Sequence, residues 1–440
     1  MDRYVLAVDI GTSSLKAALI TPEGMLKANA RVRFPAGTRT AKHWLHAFVE
    51  AWAHILRETG KIPIAAISVS GNGPTLVSIN ASGEPTGICM WNEPLAPQAA
   101  PAETVTSISS PSIFLPRLAS FKTLHRAEFE SAERIISGPE FLVYALTGNA
   151  LTILPDPRYK AAYWTEQDLA SAAIDPALLP PFAAQGTIAG TTGAPDARNR
   201  AWAGIPLADL IPAGIPVVAG GPDFTVALAG TGTIRAGTAC DRAGTSEGLN
   251  ACTAARITAA GLRTLPAVIP GLWNLSALLP DTGQMFHSWR KESGQAGKSY
   301  PELMAAIEAS PFSESFSAPN LHSGRALVEK IGFSVRQAMN NLEQAADFRP
   351  LYILTGGQAR NPVWNRMKAD ITGRTLAVTT TPDGELMGDA ILAYTSLGDF
   401  SSIEQATAHM VRVNTVYEPH AERARRYTEK FEHYENLRNS

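Results

Sequence analysis

Two segments of this sequence have the composition needed to hold phosphate groups. Each has the sequence Gly-Thr-Ser and stands between two apolar stretches: Gly11, Thr12 and Ser13 near the start, and Gly244, Thr245 and Ser246 in the second half. A turn of this kind presents several backbone N–H groups and two hydroxyls to one point, as in a nest that binds phosphate oxygens. One copy alone would more often be an ordinary hairpin turn. Two copies in matching contexts favour a cleft that holds phosphate from both sides.

Asp9 lies at the end of the apolar strand predicted for "YVLAVDI", two residues before the first of these turns. A carboxylate there is costly without a partner. Mg²⁺ that accompanies nucleotide phosphates would be such a partner, because it is held by one or two carboxylates and retained waters. The alternative is an aspartate that accepts hydrogen bonds from the amides of its own turn. The sequence leaves both interpretations open.

Asp223 is the only charged residue in "GGPDFTVALAGTG", residues 220–232. The preceding "IPVVA" is typical of a buried strand, and "FTVALAG" is typical of the apolar start of a helix. An aspartate at this transition could cap the helix by accepting backbone N–H bonds. It could also serve as a catalytic base at the end of the strand. The local sequence by itself favours the cap.

A glycine pair, Gly356 and Gly357, follows the apolar strand "LYILT". Asn361 is expected to cap the next helix, with Pro362 at its first position and Gly373 at its end. A glycine pair before a helix N-terminus leaves room for a flat ligand and favours anions. The alternative is plain packing of a strand against a helix.

The elements that must position these residues alternate between strands and helices. The opening residues predict three strands separated by turns, and "TAKHWLHAFVEAWAHILRETG" predicts an amphipathic helix. "IAAISVSG" predicts a further strand, whereas "SFKTLHRAEFESAERI" and "GPEFLVYALTG" are predicted to be helical. Residues 232–237 are interpreted as a crossover between two halves. This alternation predicts an α/β fold with functional loops at strand ends.

Composition narrows the class of protein. The chain has 440 residues, a formal net charge of −2 and 45% hydrophobic residues, which predicts two or three folded domains. The absence of a basic run argues against a nucleic-acid or anionic-membrane partner. No segment approaches the roughly 20 apolar residues of a membrane span, and the start does not have the pattern of a signal peptide. A cytoplasmic protein is therefore expected.

The remaining candidate groups are expected to be structural. The three cysteines, Cys89, Cys240 and Cys252, lack CxxC spacing, which argues against a cysteine-based metal site. Three histidines on the first predicted helix have no matching set of carboxylates or cysteines. Lys16 could approach a phosphate, but its position in a strand favours a side chain that points to solvent.

Taken together, these segments resemble the FGGY family of carbohydrate kinases, which have the actin/hexokinase/Hsp70-type ATPase fold. "AVDIGTSSLKAALI" resembles the first phosphate motif of the family, and "AGTSEG" resembles the second. "SVSGNGPTLVSINASGEPTGICMWNEP" is similar to its substrate-contacting loop and Trp-Asn-acid segment. "LTGGQARNPVWNRMKADITGRTLAV", followed by "GELMGDAILA", resembles the C-terminal signature, which is the most specific piece.

The resemblance implies two RNase H-like, actin-like ATPase domains, residues 1–236 and 237–440, with a central cleft for MgATP and a sugar. By position, Asp223 would be the catalytic base and Asp9 would act on Mg²⁺. The implied nucleotide contacts are Gly11, Thr12, Ser13, Gly244, Thr245, Ser246, Gly356 and Gly357. The implied substrate contacts are Asn72, Trp91, Asn92, Glu93, Asp223 and Phe224. These residue types suit phosphoryl transfer, which relies on positioning, charge neutralisation and a carboxylate that deprotonates the nucleophile.

The chain departs from the family pattern where substrates are recognised. "NGP" at residues 72–74 stands where xylulokinase-like members carry Gln-Met-His. "WNEP" replaces the usual Trp-Asn-Asp followed by an arginine, and Phe224 stands where many members have Asn. The Gly-Glu-Arg-x-Pro hairpin before "LHSGRALVEKIGF" is missing. Pentulose specificity is therefore not expected to carry over.

The sequence thus predicts an ATP- and Mg²⁺-dependent kinase that phosphorylates a hydroxyl of a small sugar, polyol or sugar acid. One alternative is a non-catalytic sugar- or nucleotide-binding regulatory protein of the same fold, and another is an ATPase of the chaperone or actin type. Intact Asp9 and Asp223 argue against the first, and the C-terminal signature argues against the second. The sugar, the phosphorylated hydroxyl and the oligomeric state stay open, a homodimer being one option.

Overall fold

The computed structural model of this chain describes residues 3–35, 37, 39–96, 112–193, 205, 207–312 and 324–439. The chain forms two compact units: unit 1 contains residues 1–230, 266–270 and 384–411, and unit 2 contains residues 231–265, 271–383 and 412–440. The domain division between residues 236 and 237 stays a prediction. The shortened segment before "LHSGRALVEKIGF" lies largely outside the described residues.

The strands of unit 1 are β1 Tyr4–Ile10, β2 Ser14–Ile20, β3 Leu26–Arg33, β4 Ile64–Gly71, β5 Leu76–Ile79, β6 Pro85–Cys89, β7 Arg134–Ser137, β8 Thr152–Leu154, β9 Phe182–Ala184, β10 Ile188–Thr191 and β11 Pro216–Pro222. Its main sheet has the order β10-β11-β4-β1-β2-β3. Strand β1 pairs antiparallel with β2 and parallel with β4, and β4 pairs parallel with β11. Every residue of β1 is buried, as its sequence, apolar except for Asp9, predicts for a central strand.

The helices of unit 1 are α1 Ala41–Thr59, α2 Leu115–Leu124, α3 Arg126–Glu130, α4 Gly138–Thr147, α5 Lys160–Tyr163, α6 Glu166–Ser171, α7 Leu207–Leu210, α8 Asp223–Gly230, α13 Gly384–Ser396 and α14 Ile403–Met410. The apolar face predicted for α1 is confirmed, because Trp44, Phe48, Trp52 and Ile55 are all buried. One part of the predicted helical stretch is wrong. Its last residues form β7, since the β-branched pair "II" is buried where β7 pairs with β5.

Unit 2 contains the strands β12 Ala239–Ala243, β13 Glu247–Thr253, β14 Arg263–Pro266, β15 Trp273–Leu279, β16 Tyr352–Thr355, β17 Leu376–Thr379 and β18 Val413–Tyr417. They form one sheet in the order β14-β15-β13-β12-β16-β17-β18. Strand β12 pairs antiparallel with β13 and parallel with β16, and β16 pairs parallel with β17. The first strand in each unit therefore has an antiparallel hairpin partner on one side and a parallel strand on the other.

The helices of unit 2 are α9 Thr282–Glu292, α10 Tyr300–Ala309, α11 Gly324–Ala346, α12 Pro362–Thr372 and α15 Ala421–Asn439. The ends predicted for α12 are confirmed. Asn361 Oδ1 accepts hydrogen bonds from the Val363 and Trp364 backbone N–H groups, and Gly373 ends the helix with a φ of 64°. Across the described ranges, no helix combines the length and the apolar character that a membrane span requires.

Glycines allow α8 and α13 to pack backbone against backbone. A Cβ added at Gly388 would overlap the Val226 carbonyl oxygen, and one added at Gly230 would overlap the Gly384 carbonyl oxygen. Side chains at these positions would hold the two helices apart. The close approach matters because α8 begins with Asp223 and α13 contains Glu385, and the charges of both act on Asp9.

We expect the substitution Gly388→Ala to lower the melting temperature in thermal unfolding followed by circular dichroism. In a helix, alanine is ordinarily more stabilising than glycine by about 1 kcal/mol. A loss of stability in this variant would therefore be due to the overlap with Val226. Overpacking of this kind typically costs about 1–3 kcal/mol. The control is Gly297→Ala, because a Cβ there meets no atom within 4 Å. An unchanged or raised melting temperature in Gly388→Ala would contradict the close packing.

A buried charged triad ties together the two strands beside the second Gly-Thr-Ser turn. Lys368 of α12 donates to Asp241 Oδ2 of β12 at 2.5 Å and also to Glu247 Oε1 of β13. All three side chains are buried. Burial, together with the neighbouring Glu247, raises the pKa of Asp241 to about 7, although Lys368 opposes this. Lys368 thus links the two strands that flank the turn at residues 244–246.

The raised pKa of Asp241 predicts a pH-dependent stability. A carboxyl group whose pKa is higher in the folded state makes its full contribution to the stability of the folded protein below its unfolded pKa of about 3.9. This contribution is lost as the pH rises through the pKa of the folded state. We expect the melting temperature to fall from pH 6 to pH 8, and to fall less in Asp241→Asn, which stays neutral throughout. The control is Asp347→Asn, an exposed position. Parallel pH curves for the wild type and Asp241→Asn would refute this account.

Candidate active site

Three parallel strands of unit 1 end at the same level of the sheet. In β1, β4 and β11 the last paired residues are Ile10, Gly71 and Pro222. The residues that follow them along the chain are Gly11, Asn72 and Asp223. The carboxyl ends of parallel strands form the edge at which α/β proteins bind ligands. One edge of unit 1 therefore brings together residues predicted separately as phosphate, substrate and catalytic groups.

Asp9 lies just behind this edge and contacts a lysine. Lys16 of β2 is paired directly opposite Asp9, and its Nζ lies 3.3 Å from Asp9 Oδ2 and 3.7 Å from Glu385 Oε2 of α13. The expectation that Lys16 points to solvent is wrong, since its side chain is only 18% exposed. Residues paired across two strands share a face of the sheet, and α13 covers this face. That covering helix is distant in the sequence.

The charges around Asp9 suit a divalent cation. Burial raises the pKa of Asp9 to about 7; Lys16 opposes the shift, and the charges of Glu385 and Asp223 add to it. Asp9 Oδ1 is buried without a hydrogen-bond partner among the described residues. No described contact joins this carboxylate to the amides of its own turn, so the structure does not support that alternative. In this region the carboxylate groups outnumber the cationic side chains. Carboxylate oxygens are donors that Mg²⁺ prefers, so the residues fit this ion.

Asp389 of α13 is a second buried carboxylate, and the sequence-based predictions missed it. Its oxygens accept hydrogen bonds from Ser68 Oγ at 2.8 Å and from Ser70 Oγ at 2.6 Å, both on β4. Burial raises the pKa of Asp389 well above its usual value. The available signal was a charge within the apolar run "LMGDAILAY", where an unpaired carboxylate would be costly. Asp389 therefore attaches α13 to the strand that leads to Asn72.

Hydrogen bonds connect the predicted phosphate turn to the predicted substrate loop. Thr12 Oγ1 accepts from Trp91 Nε1 at 3.0 Å and from Asn72 Nδ2 at 3.4 Å. Thr75 Oγ1 donates to Asn72 Oδ1 at 3.0 Å and accepts from the Trp91 backbone N–H at 3.1 Å. Three residues predicted from separate parts of the sequence thus form one network. Thr75 completes this network but carried no signal in the sequence.

The turn at residues 90–93 is fixed by contacts within the protein. Glu93 Oε1 accepts from the Met90 backbone N–H at 2.8 Å, and Glu93 Oε2 lies 3.4 Å from His125 Nε2. The buried side chain of Arg117 donates to the carbonyl oxygens of Trp91 and Glu93, at 2.5 and 2.8 Å. The Glu93 carboxylate is therefore engaged by the protein itself, whereas Asn92 is exposed. The substrate roles of Trp91, Asn92 and Glu93 stay predictions.

Asp223 is the first residue of α8, and Phe224 follows it into the helix. The ring centroid of Phe224 lies 6.4 Å from that of Tyr159, a buried side chain whose hydroxyl donates to the Pro266 carbonyl oxygen at 2.8 Å. Phe224 therefore anchors the first turn of α8. The N-terminal end of a helix favours the ionised form of an acidic side chain, which suits Asp223 both as a cap and as a base.

The two Gly-Thr-Ser turns close in similar ways. The Gly11 backbone N–H donates to the Ser14 carbonyl oxygen at 3.0 Å, and the Gly244 N–H donates to the Ser246 carbonyl oxygen at 2.8 Å. The first bond reaches the first residue of β2 and the second reaches the residue just before β13, as predicted for turns between paired strands. Their role in binding phosphate stays a prediction.

The two glycines of the pair in unit 2 have different surroundings. Gly356 follows β16 with a φ of 90°, and a Cβ there would contact the Ala243 carbonyl oxygen too closely. A Cβ at Gly357 would meet no atom within 4 Å. Packing therefore requires the first glycine, which is the structural alternative left open by the sequence. The second borders open space, as a ligand contact would require.

Comparisons with known proteins show which proteins this chain is similar to. Residues 296–397 match the model of the FGGY family of carbohydrate kinases, C-terminal domain. A xylulose kinase of Lactococcus lactis subsp. lactis (strain IL1403) is 23% identical to this chain, over 93% of this chain and 91% of the relative. A xylulose kinase of Staphylococcus xylosus is 21% identical over 99% of both chains.

Solved structures of low sequence identity share the fold. The xylulose kinase from Rhodospirillum rubrum superposes with a TM-score of 0.76, at 19% identity over 99% of this chain and 98% of that one. The gluconate kinase from Lactobacillus acidophilus gives a TM-score of 0.77, at 17% identity over 100% of this chain and 98% of that one. The α/β class with two actin-like units is thereby confirmed. The match at residues 296–397, the full-length relatives and the shared fold show that this chain is similar to carbohydrate kinases of the FGGY family.

Proposed function

We propose that this protein transfers the γ-phosphoryl group of ATP to a hydroxyl of a small sugar, polyol or sugar acid. The observation that carries the proposal is the carboxyl edge of β1, β4 and β11, where Gly11, Asn72 and Asp223 follow paired strand ends. A phosphate-binding turn, a polar substrate loop and a carboxylate at one edge are the parts that phosphoryl transfer to an alcohol needs. Relatives of similar length named as xylulose kinases support the same activity.

Asp223 is the proposed catalytic base. Its carboxylate would orient the substrate hydroxyl and accept its proton as the oxygen attacks phosphorus, so that the developing negative charge moves to the phosphoryl group and ADP leaves. The start of α8 and the packing of Phe224 against Tyr159 hold this residue in place. General bases of this kind contribute typically about 10²–10⁴-fold to the rate.

Asp9 is the residue proposed to hold Mg²⁺, directly or through water. When bound, the ion would neutralise charge on the phosphate oxygens. Lys16 bridges Asp9 and Glu385 in the structure, so it holds both carboxylates in position. The unpartnered Asp9 Oδ1 is the atom that this proposal assigns to the ion or its water.

The remaining predicted contacts keep their proposed roles. For the nucleotide these are Gly11, Thr12, Ser13, Gly244, Thr245, Ser246, Gly356 and Gly357. For the carbohydrate these are Asn72, Trp91, Asn92, Glu93, Asp223 and Phe224. Glu93 is the least supported of these contacts, because a substrate hydroxyl would have to compete with Met90 and His125 for its carboxylate. The cytoplasmic location and a homodimeric state likewise remain predictions.

The substitution Asp223→Asn tests the proposed base. We expect the wild type to release ADP with at least one member of a panel of ketoses, aldoses, polyols and aldonic acids in a coupled assay. We expect kcat in the variant to fall by about 10²–10⁴-fold, because the amide cannot accept the proton. Asp175→Asn is the matched control, since Asp175 caps a helical turn and an asparagine caps equally well.

Two outcomes would decide against the proposal. Undiminished turnover in Asp223→Asn would remove the base assignment. The lack of substrate-stimulated ADP release across the whole panel would favour the non-catalytic binding protein.

The substitution Asp9→Asn tests the metal role. We expect ATP to raise the melting temperature of the wild type more with Mg²⁺ than with a chelator. The variant should need about 10- to 100-fold more Mg²⁺ for the same rise, in line with roughly 1.5–3 kcal/mol for a contact to a charged group. The rise is measured for each protein relative to its own melting temperature without metal, because the loss of a buried charge also alters stability. An identical Mg²⁺ dependence in both proteins would exclude Asp9 as the ligand.

A further inference from the structure

Cys89 and His125 have no role in the proposed kinase reaction, and they form a cluster with Glu93, the least supported of the proposed substrate contacts. The cysteine sulfur, a Glu93 carboxylate oxygen and a ring nitrogen of His125 all lie within 4.8 Å of one another. Cys89 is buried at the end of β6, whereas Glu93 and His125 are partly exposed. The three residues come from a strand end, a turn and the end of α2, so the fold rather than the sequence brings them together.

The separations are close to those of a tetrahedral metal site. Zinc bonds of about 2.0–2.3 Å place neighbouring ligand atoms roughly 3.3–3.8 Å apart in a tetrahedron. Glu93 Oε2 and His125 Nε2 already lie 3.4 Å apart. The cysteine sulfur lies within 4.8 Å of both partners, so at most about 1 Å separates it from a tetrahedral spacing.

Each of the three side chains already has a partner that orients it. The Met90 backbone N–H donates to the other oxygen of Glu93 at 2.8 Å. The His125 ring packs edge-on against Phe121, with centroids 5.3 Å apart. The guanidinium of Arg117 lies close enough to the Cys89 thiol to oppose the rise in its pKa. Metal ligands in proteins are commonly fixed by such outer contacts, and these contacts tune affinity.

With a metal ion bound, the charges of its ligands would outweigh the charge of Arg117. Burial raises the pKa of the Cys89 thiol to about 11, so the free thiol keeps its proton at neutral pH. A bound metal ion displaces that proton, because a coordinating thiol is deprotonated outright. The thiolate and the carboxylate then outweigh the guanidinium by one negative charge, and the guanidinium stabilises the thiolate from its outer side.

We propose that Cys89, Glu93 and His125 bind a divalent cation of the zinc class, with water as the fourth ligand. Sulfur, imidazole and carboxylate are the donors that zinc accepts, whereas magnesium and calcium prefer oxygen alone. This reverses the sequence-based expectation against a cysteine-based site, which rested on the spacing of cysteines only. The inference does not depend on the proposed kinase activity.

The site would also bear on the substrate loop. Glu93 and Cys89 flank the turn that contains Trp91, and Trp91 Nε1 donates to Thr12 Oγ1 at 3.0 Å. A metal ion bound on the other side of that turn would hold it against the end of α2. The ion is therefore a positioning element for Trp91.

Metal titration of the untagged, chelator-treated protein tests the proposal. We expect one Co²⁺ per chain, with a near-ultraviolet thiolate-to-cobalt charge-transfer band that Zn²⁺ abolishes on displacement. Cys89→Ser should lose the band. His125→Gln, at a partly exposed position, should weaken Zn²⁺ binding by at least about 10- to 100-fold, the loss typical even of outer-shell changes. Zn²⁺ should raise the melting temperature of the wild type by more than that of either variant.

Cys252→Ser is the matched control, because Cys252 is also a buried free cysteine but lies in β13 of unit 2. It should keep the cobalt band and the Zn²⁺ affinity. If Cys89→Ser fails to fold, as judged by circular dichroism, His125→Gln decides the question. A wild-type protein without the thiolate band would overturn the proposal. So would a band that persists in Cys89→Ser, or Zn²⁺ affinity unchanged in His125→Gln.

Discussion

Asp9 carries a carboxylate into the fully buried strand β1, where an uncompensated charge would cost several kcal/mol. The structure compensates for it only in part. Lys16 stands opposite on β2, but Glu385 and Asp223 add negative charge to the same region. The proposed role of Asp9 with Mg²⁺ rests on this surplus of negative charge. Much of unit 1 is arranged so that these groups come close together.

Close helix packing makes that arrangement possible. Gly230 and Gly388 let α8 and α13 approach each other until backbone atoms touch, which brings Asp223 and Glu385 towards the same edge. Asp389, one turn further along α13, binds Ser68 and Ser70 and so fixes the helix to β4. The glycines and Asp389 therefore act on the candidate active site through positioning.

The two units share one sheet plan. In each, a strand leads through a Gly-Thr-Ser turn into its hairpin partner, and a parallel strand lies on the other side. Each unit also has buried carboxylate oxygens beside the turn that lack a hydrogen-bond partner among the described residues: Asp9 Oδ1 in unit 1, and Asp241 Oδ1 and Glu247 Oε2 in unit 2. The units differ in the source of the lysine. Lys16 lies on the hairpin strand β2, whereas Lys368 comes from α12 and contacts both carboxylates of its triad.

The sequence alone was sufficient for features that depend on neighbouring residues. The turns at residues 11–13 and 244–246, the buried face of α1 and the ends of α12 follow from local spacing and capping preferences, which act within a few residues. The local pattern also placed Asp9 near the end of β1, and Asn72 and Asp223 directly after β4 and β11. The roles of these residues remain to be measured.

Tertiary structure decided what depends on partners distant in the chain. Lys16 was predicted to face solvent, because nothing near it in the sequence indicates that α13 covers its side of β2. The serine partners of Asp389 and the joining of His125 to Cys89 and Glu93 were likewise invisible. Hydrophobic periodicity determines which face of an element is buried, but it contains no information about which distant element covers that face. Only the packed structure sets the charge balance around Asp9 and brings a thiol, a carboxylate and an imidazole together.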